Sequence, residues 1–486
     1  MTPHPSPSPE NSNLLAPPPG DDSLIPGGNK FEASSRGFRQ TVRRWGRTSG
    51  TTPALRLFAC VAVSLGLLLG SRLRGLGPNA GNRRGAARRV AERWADLLAS
   101  LRGPYAKAGQ FAASRPDLIP EEIAQPLARL RDRLPSLPLA EVRPVLEAEL
   151  GVPLEIAFAE FEPETLGAAS IAQVHRARLS DGTAVAVKIQ YPWIESSLAA
   201  DLKVLRRLIR LLLWWTGKEH RKVDFERLFG EFSRSLATEL DFEAEARAAG
   251  EIAQNLSADP AIQVPIVIAS HTRKRVLTME YSPCVNIADR EGLAALGVDP
   301  AAVLEIVARA YAKQIFEDGL FHADPHPGNL FVLDEEGARE NPRVLFVDFG
   351  LHRRLSPDLQ REMRQGIFAL MQRDLDGFMH RMEAMDMIAP GAEGTVRSAV
   401  AEMLDRIADE GGANKLMSGT GSQVLGLKSE AKRLLEHTPG LQLPDDLLLY
   451  AKTLSYLFAL GEELDPKVDL MKISVPYLLG FLGRQD

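Results

Sequence analysis

The sequence predicts an α+β chain of two lobes, a small strand-rich lobe followed by a larger, mostly helical one. Three observations predict it. Ala172-Gln-Val-His-Arg-Ala-Arg-Leu179 and Thr183-Ala-Val-Ala-Val-Lys-Ile-Gln190 are β-type runs on either side of a Ser180-Asp-Gly182 turn. Leu330-Phe-Val-Leu333 and Val344-Leu-Phe-Val347 form a second hairpin around a Gly- and Asn-containing turn. Beyond it, apolar residues recur at helical spacing over Leu355 to Met387, Val396 to Ile407 and Pro444 to Leu464, with Gly-rich breaks between. With 486 residues and 45% hydrophobic content there is material for two cores and an added helical region. No repeat array is visible.

Residues 1–29 hold eight prolines among Ser, Asn and Asp, too little apolar content to order a core, and are expected to form a disordered tail. The region 30–103 is basic. Lys30 to Arg102 carry 15 Lys/Arg against three Asp/Glu, a net +12; residues 1–29 carry −3, so the whole-chain −5 leaves −14 for 103–486. Within the basic region, the candidate membrane-contact helix 55–73 contains the apolar run Leu57 to Gly70, flanked by Arg56 and Arg72. At 14 residues the run is short of the roughly 20 that cross a bilayer. It begins late and lacks a small-residue cleavage site, which argues against a secretory signal. Two readings stand, a buried core helix and an interfacial helix drawn to anionic lipid by the arginines. Nucleic acid is not an expected partner, because few aromatics, Phe38 and Trp45 among them, interleave with the basic residues.

The region 104–155 is a helical extension containing Lys107-Ala-Gly-Gln110, which by itself reads as a helix surface with a Gly break. Cys60 and Cys284 lie far apart with no Cys-x-x-Cys pair, which fits a reducing, cytoplasmic setting.

The strand-rich lobe spans 156–285. Lys188 closes an apolar strand, a place usually taken by a solvated edge residue, and Gly167-Ala168-Ala169-Ser170 precedes that strand pair. Glycine lets backbone N–H groups approach phosphates in conformations that a Cβ forbids, so alanines there imply a tighter clamp. Leu202 to Trp215 is an Arg-rich helix whose Trp214-Trp215 end suits a membrane interface, a partner groove or packing on the lobe. One long helix is expected from Asp224 to Asn255, its acidic run Glu239 to Glu251 reading as a solvated face. Arg275 to Tyr281 is an apolar strand that stops at Ser282-Pro283, a break suited to an interlobe hinge, with Glu280 and Ser282 as its candidate binding residues.

The helical lobe, 286–486, contains the most informative stretch, His322-Ala-Asp324-Pro-His-Pro-Gly-Asn329, followed by Asp348-Phe-Gly350. A kinase catalytic loop sets an Asp and an Asn five apart, the first meeting an attacking hydroxyl and the second a metal, while an Asp before Phe-Gly holds another metal. Asp324, Asn329 and Asp348 fit that spacing, and Lys188 lies upstream where a kinase places its phosphate-binding cation. The cofactors expected are ATP or ADP with Mg²⁺. His322 and His326 lack companions at zinc-like spacing.

The chain resembles the UbiB family of atypical, protein-kinase-like ATPases linked to ubiquinone and other isoprenoid-quinone biosynthesis. Four signatures carry the resemblance from about residue 100 onward: Lys107 to Gln110; the Ala-rich loop through Ser170 with Gln173-Val-His175; Glu239-Leu-Asp241-Phe-Glu-Ala-Glu245; and His322 to Asn329 with Asp348-Phe-Gly. The resemblance implies a bilobal protein-kinase-like fold whose N-terminal helical extension packs over the active site, with a mostly helical C-lobe. It implies that Lys188 pairs with Glu245 and the nucleotide phosphates, that Asn329 and Asp348 hold Mg²⁺, and that Asp324 orients an acceptor such as water. It also implies a regulatory lid in which Lys107 and Gln110 fold towards Glu239 and Asp241. Offsets of two, four and six keep Glu239, Asp241 and Glu245 off one helix face unless the backbone bends or begins near Glu239. Implied partners are a quinone precursor or other isoprenoid lipid, an anionic membrane surface on the cytoplasmic side, and quinone-biosynthesis proteins. Glu462-Glu-Leu-Asp465-Pro is similar to a helix stop of the family, but no long apolar hairpin follows it, a departure from members anchored there. Two other readings are a nucleotide-sensing scaffold that never turns over and, third, a protein kinase.

Overall fold

The computed structural model describes residues 83–113, 121–128, 130, 136–216, 225–409, 434 and 438–484. The Pro-rich tail, the 55–73 segment and the side chains of Trp214 and Trp215 lie outside the described residues.

The first lobe is built on an antiparallel sheet ordered β1–β2–β3–β5, comprising β1 (Glu160–Ala168), β2 (Ala172–Arg178), β3 (Ala184–Gln190) and β5 (Val276–Glu280). Strand alternation sends Val185, Val187 and Ile189 of β3 into the core. Lys188 and Gln190 point the other way and are buried as well, because a helix covers that face. β1 is the edge strand, where Pro163 interrupts no ladder and the register shifts twice before Gly167. Between β2 and β3, the Asp181 carboxylate accepts from Thr183 N–H at 2.9 Å and Gly182 supplies φ +90°, which closes the expected turn.

Helices α1 (Arg83–Leu101), α2 (Gly103–Ala113) and α3 (Glu121–Ala128) make the extension, and α4 (Leu139–Leu150) and α5 (Leu154–Ala157) lead into the sheet. Leu97, Leu98, Leu101, Tyr105 and Leu130 of the extension share one apolar core with Val185, Val187 and Ile189. Apolar burial of that extent holds the extension on the lobe as part of its core.

α6 (Trp193–Thr216) is followed by α7 (Phe225–Glu239) and α8 (Phe242–Leu256). The single helix expected over 224–255 is therefore two. Asp241 breaks it by taking an extended conformation and accepting from Ala244 N–H at 2.9 Å, the N-cap of α8. Gln190 of β3 fixes the break by donating to Leu240 O at 2.8 Å. Phe242 belongs to the first core, whereas Ala249, Ile252 and Leu256 belong to the second, so α8 links the two.

The second lobe packs α9 (Arg290–Leu296), α10 (Pro300–Ala312), α14 (Asp445–Leu464) and α15 (Leu470–Leu482) around a sheet ordered β4–β9–β8–β6. Its strands are β4 (Ile262–Gln263), β6 (Cys284–Asn286), β8 (Leu330–Leu333) and β9 (Val344–Phe346). The β8–β9 hairpin pairs Leu330 with Phe346, joining the two runs expected from the sequence. β7 (Leu320–His322) pairs with β10 (His352–Arg354). The helix expected from Leu355 to Met387 is also two, α11 (Pro357–Gln372) and α12 (Leu375–Ala384). Arg373 takes φ +57° and Asp374 caps α12 through Gly377 N–H, a break made without glycine at the turn. α13 (Glu393–Asp409) follows, and α15 lies beyond the expected helix stop at Asp465-Pro466. Among the described residues no helix is long and apolar enough to cross a membrane.

Candidate active site

Lys188 sits at the centre of the cleft. Its ammonium donates to both oxygens of Glu245, at 2.8 and 2.9 Å, and to Asp348 Oδ1 at 2.6 Å. The Phe242 ring lies 5.0 Å from the same nitrogen. β3 presents Lys188 and α8 presents Glu245, because capping at Asp241 starts α8 where its first turn faces the sheet. Burial alone disfavours the ammonium, but the two carboxylates outweigh it and keep Lys188 charged. Burial pushes Glu245 up to about 7 even with Lys188 beside it. At Asp348 burial is outweighed by Lys188, which holds the carboxylate down to about 2. The Asp348 side chain remains 47% exposed to the cleft.

Asp348 adopts φ +62°, a left-handed conformation that costs a side-chain-bearing residue about 1–2 kcal/mol. His322 holds it there. Its Nε2 faces the Val347 and Asp348 carbonyls at 3.2 and 3.0 Å, and carbonyls only accept, so Nε2 carries the proton. Nδ1 then accepts from the Tyr311 hydroxyl at 2.8 Å, and burial keeps the ring neutral. Gln314 accepts from His322 N–H at 2.9 Å out of a π-helical segment, Lys313–Asp318, that continues α10. At Gly350 a Cβ would press on Glu245 Oε2 at 3.2 Å, which explains a glycine after Phe349.

The residues of the expected catalytic loop lie beside this cluster, joined to it through Val347. Asn329 Nδ2 donates to Asp324 O at 3.1 Å and lies 3.4 Å from Asp324 Oδ2, and Val347 N–H donates to Asn329 O at 3.0 Å. His326 caps the 3₁₀ turn Pro327–Asn329 through Gly328 N–H, a structural role. Among the described residues no cluster of His, Cys, Asp and Glu makes a metal cage. An oxygen pair of one carboxylate and one amide still suits Mg²⁺, which keeps waters and takes substrate phosphates as its other ligands. With Nδ2 of Asn329 turned to Asp324, the amide oxygen is the atom left for an ion.

The residues expected to form a lid separate. Lys107 of α2 reaches Glu239 at 2.6 Å, and burial raises the Glu239 pKa against the opposing pull of that ammonium. Gln110 donates to Leu130 O at 2.9 Å within the extension, and Asp241 caps α8. Gln173 brackets Leu137, accepting from its N–H at 2.8 Å and donating to its carbonyl at 3.0 Å, so this part of the loop signature ties the extension to the sheet.

Of the expected loop, Gly167 and Ala168 end β1, paired with Val174 and Gln173, and Ala169 and Ser170 lie in the turn into β2; Gly167 and Ala169 are exposed, Ala168 is half-buried and Ser170 is buried. Two contacts that the sequence does not suggest support it: Gly103 N–H donates to Ser170 O at 2.8 Å, and the Tyr191 hydroxyl donates to Ala169 O at 3.0 Å. Gly103 has φ +51°, and a Cβ there would meet Ile194 Cδ1 at 2.9 Å. Gly103→Ala is therefore expected to cost about 1–2 kcal/mol. Amide exchange should accelerate across residues 167–172 while the centre of β3 stays protected; unchanged exchange in the loop would remove this support role. At the hinge, the Glu280 and Tyr281 N–H groups are already donated within the lobe, to Ile266 O and Ala184 O. Glu280 also lines an open depression of about 550 Å³ with Asp181, Thr183 and His271, none of which belongs to the cluster around Lys188.

The sequence pattern of the ABC1 atypical kinase-like domain matches residues 129–382. The chain belongs to this family. The Marinobacter nauticus protein named probable protein kinase UbiB is 31% identical to it over 391 residues, 79% of this chain and 68% of that one. An Arabidopsis thaliana protein, ACTIVITY OF BC1 COMPLEX KINASE 8, chloroplastic, is 30% identical over 423 residues, 82% of this chain and 55% of its own length. The chain thus spans roughly half to two thirds of these relatives. A solved structure of Rv3197 with erythromycin, from Mycobacterium tuberculosis, shares the fold at a TM-score of 0.51 and 24% identity, covering 80% of this chain and 95% of that one. The ABC1 match contains Lys188, Glu245, Asp324, Asn329 and Asp348, whereas Lys107 precedes it.

Proposed function

We propose that the chain is a Mg²⁺-dependent, ATP-binding atypical kinase or ATPase that supports isoprenoid-quinone or related lipid biosynthesis at a membrane surface. The observation that carries the chemistry is the Lys188 ammonium bound by Glu245 and Asp348 beside the Asp324–Asn329 pair. Lys188 would exchange its Asp348 contact for nucleotide phosphate oxygens, while Glu245 keeps it aimed. Asn329 and Asp348 would hold Mg²⁺, which neutralises charge on the β- and γ-phosphates. Asp324 would orient the acceptor, and residues 167–170 would close over the phosphates. The quinone role rests on the UbiB name of the relatives and on the four signatures.

Purified chain should release phosphate from ATP only with Mg²⁺, and faster with anionic vesicles or phenolic precursors. Asp348→Asn should lower turnover by about 10²-fold or more. Equal turnover by this variant would sink the reading. Rescue of the cellular quinone profile in a gene deletion, by wild type and not by Asp348→Asn, tests the biological task. A nucleotide-sensing scaffold is the second reading, favoured by the contacts that already occupy Lys188 and Lys107. It predicts tight ATP or ADP binding without product.

A further inference from the structure

The catalytic loop supplies acid and amide groups but no lysine or arginine: Asp324 to Asn329 reads Asp-Pro-His-Pro-Gly-Asn. Lys188 is the cation aimed at the phosphates, and Glu245 and Asp348 already offset part of its charge. A triphosphate entering between Asp324 and Asp348 adds several negative charges, and positioned cations are a main means of stabilising phosphoryl transfer. Among the described residues, the structure brings a cation to the loop from far away in sequence. Lys452, on α14, places its ammonium 3.9 Å from Asp324 Oδ1 and 5.7 Å from the centre of the Tyr456 ring. One residue on, the buried Thr453 hydroxyl lies 3.3 Å from Ala323 O, so the same helix turn touches the loop twice. Lys452 lies outside the segment matched by the ABC1 pattern.

We infer that Lys452 is a positioning residue for phosphoryl transfer, holding the Asp324 carboxylate towards the acceptor and adding a positive charge to the site besides that of Lys188. This rests on the phosphoryl-transfer reading above. The helical tail of the second lobe thereby completes the active site, and Asp324 and α14 act as one unit.

The test is steady-state MgATP hydrolysis by the full chain, with ADP binding and thermal unfolding measured in parallel. Lys452→Met keeps an unbranched apolar side chain of similar length and removes the ammonium, its charge and its donors together. Its kcat should fall about 10- to 100-fold while KM for MgATP and ADP affinity stay within about twofold. Lys452→Arg should recover much of the loss, and Lys452→Gln should not, since it donates a hydrogen bond without charge. Wild-type kcat in Lys452→Met or Lys452→Gln overturns the role, as does a loss of kcat matched by loss of nucleotide binding and folding in every variant. Wild-type turnover no greater than that of Asp348→Asn instead removes the proposed activity, and the role of Lys452 with it.

Discussion

Replacing Lys188 with Met is expected to abolish most MgATP turnover, by about 10²- to 10³-fold, and to destabilise the chain by about 3 kcal/mol. The first effect follows from losing the cation aimed at the phosphates. The second follows from leaving Glu245, 2% exposed, buried without its partner. The pH dependence has a definite sign. A carboxylate whose folded pKa stands above its unfolded value binds more protons when folded, so stability falls as pH rises between the two values. For Glu245 in the intact protein that window runs from 4.5 to about 7. Burial is the larger cause and Lys188 opposes it, so without the ammonium the upper limit moves higher. The deficit of Lys188→Met should therefore be greater at alkaline than at mildly acidic pH. Asp348 loses the same ammonium, but its side chain is about half exposed, so water rather than Lys188 solvates its charge in the variant. Urea unfolding at two pH values reads the difference, and a pH-independent deficit would contradict the assignment to Glu245.

His322→Leu should have the second-largest effect, although His322 meets no substrate in this reading. The substitution removes the proton that Nε2 shares with the Val347 and Asp348 carbonyls and strands the Tyr311 hydroxyl. A buried network broken in this way costs about 2–3 kcal/mol. Asp348 is then free to leave φ +62° for an easier conformation, carrying its carboxylate away from Lys188. Misplacement of about 1 Å can cost about 10² in rate. Turnover should fall by that order, with Mg²⁺ dependence shifted to higher concentration. Wild-type Mg²⁺ dependence with unchanged turnover would show that His322 does not hold the Asp348 segment.

The sequence is informative where chemistry is written in contiguous residues. Asp324, Asn329 and Asp348 are joined by one loop and one hairpin, so their spacing fixes which chemistry they can share, and Lys188 is legible as the cation near the end of an apolar strand. Helix limits are less legible. Asp241 and Asp374 end predicted helices through side-chain caps, and neither break is marked by Pro or Gly at its turn. An apolar pattern that continues across a cap looks like one helix, because periodicity records which face is buried and not where the backbone turns.

What the sequence by itself determined is which residues are candidates for the site, the order of most elements and the polarity of the chain, since each depends on neighbours a few residues apart. Only the tertiary structure decided that Lys188 bridges Glu245 and Asp348, that Lys107 meets Glu239 while Gln110 turns to Leu130, that Gly103 supports Ser170, and that α14 brings Lys452 to Asp324. Those contacts join residues distant along the chain. Whether they form depends on how helices pack against a shared apolar core, a property of the whole fold that no local spacing encodes.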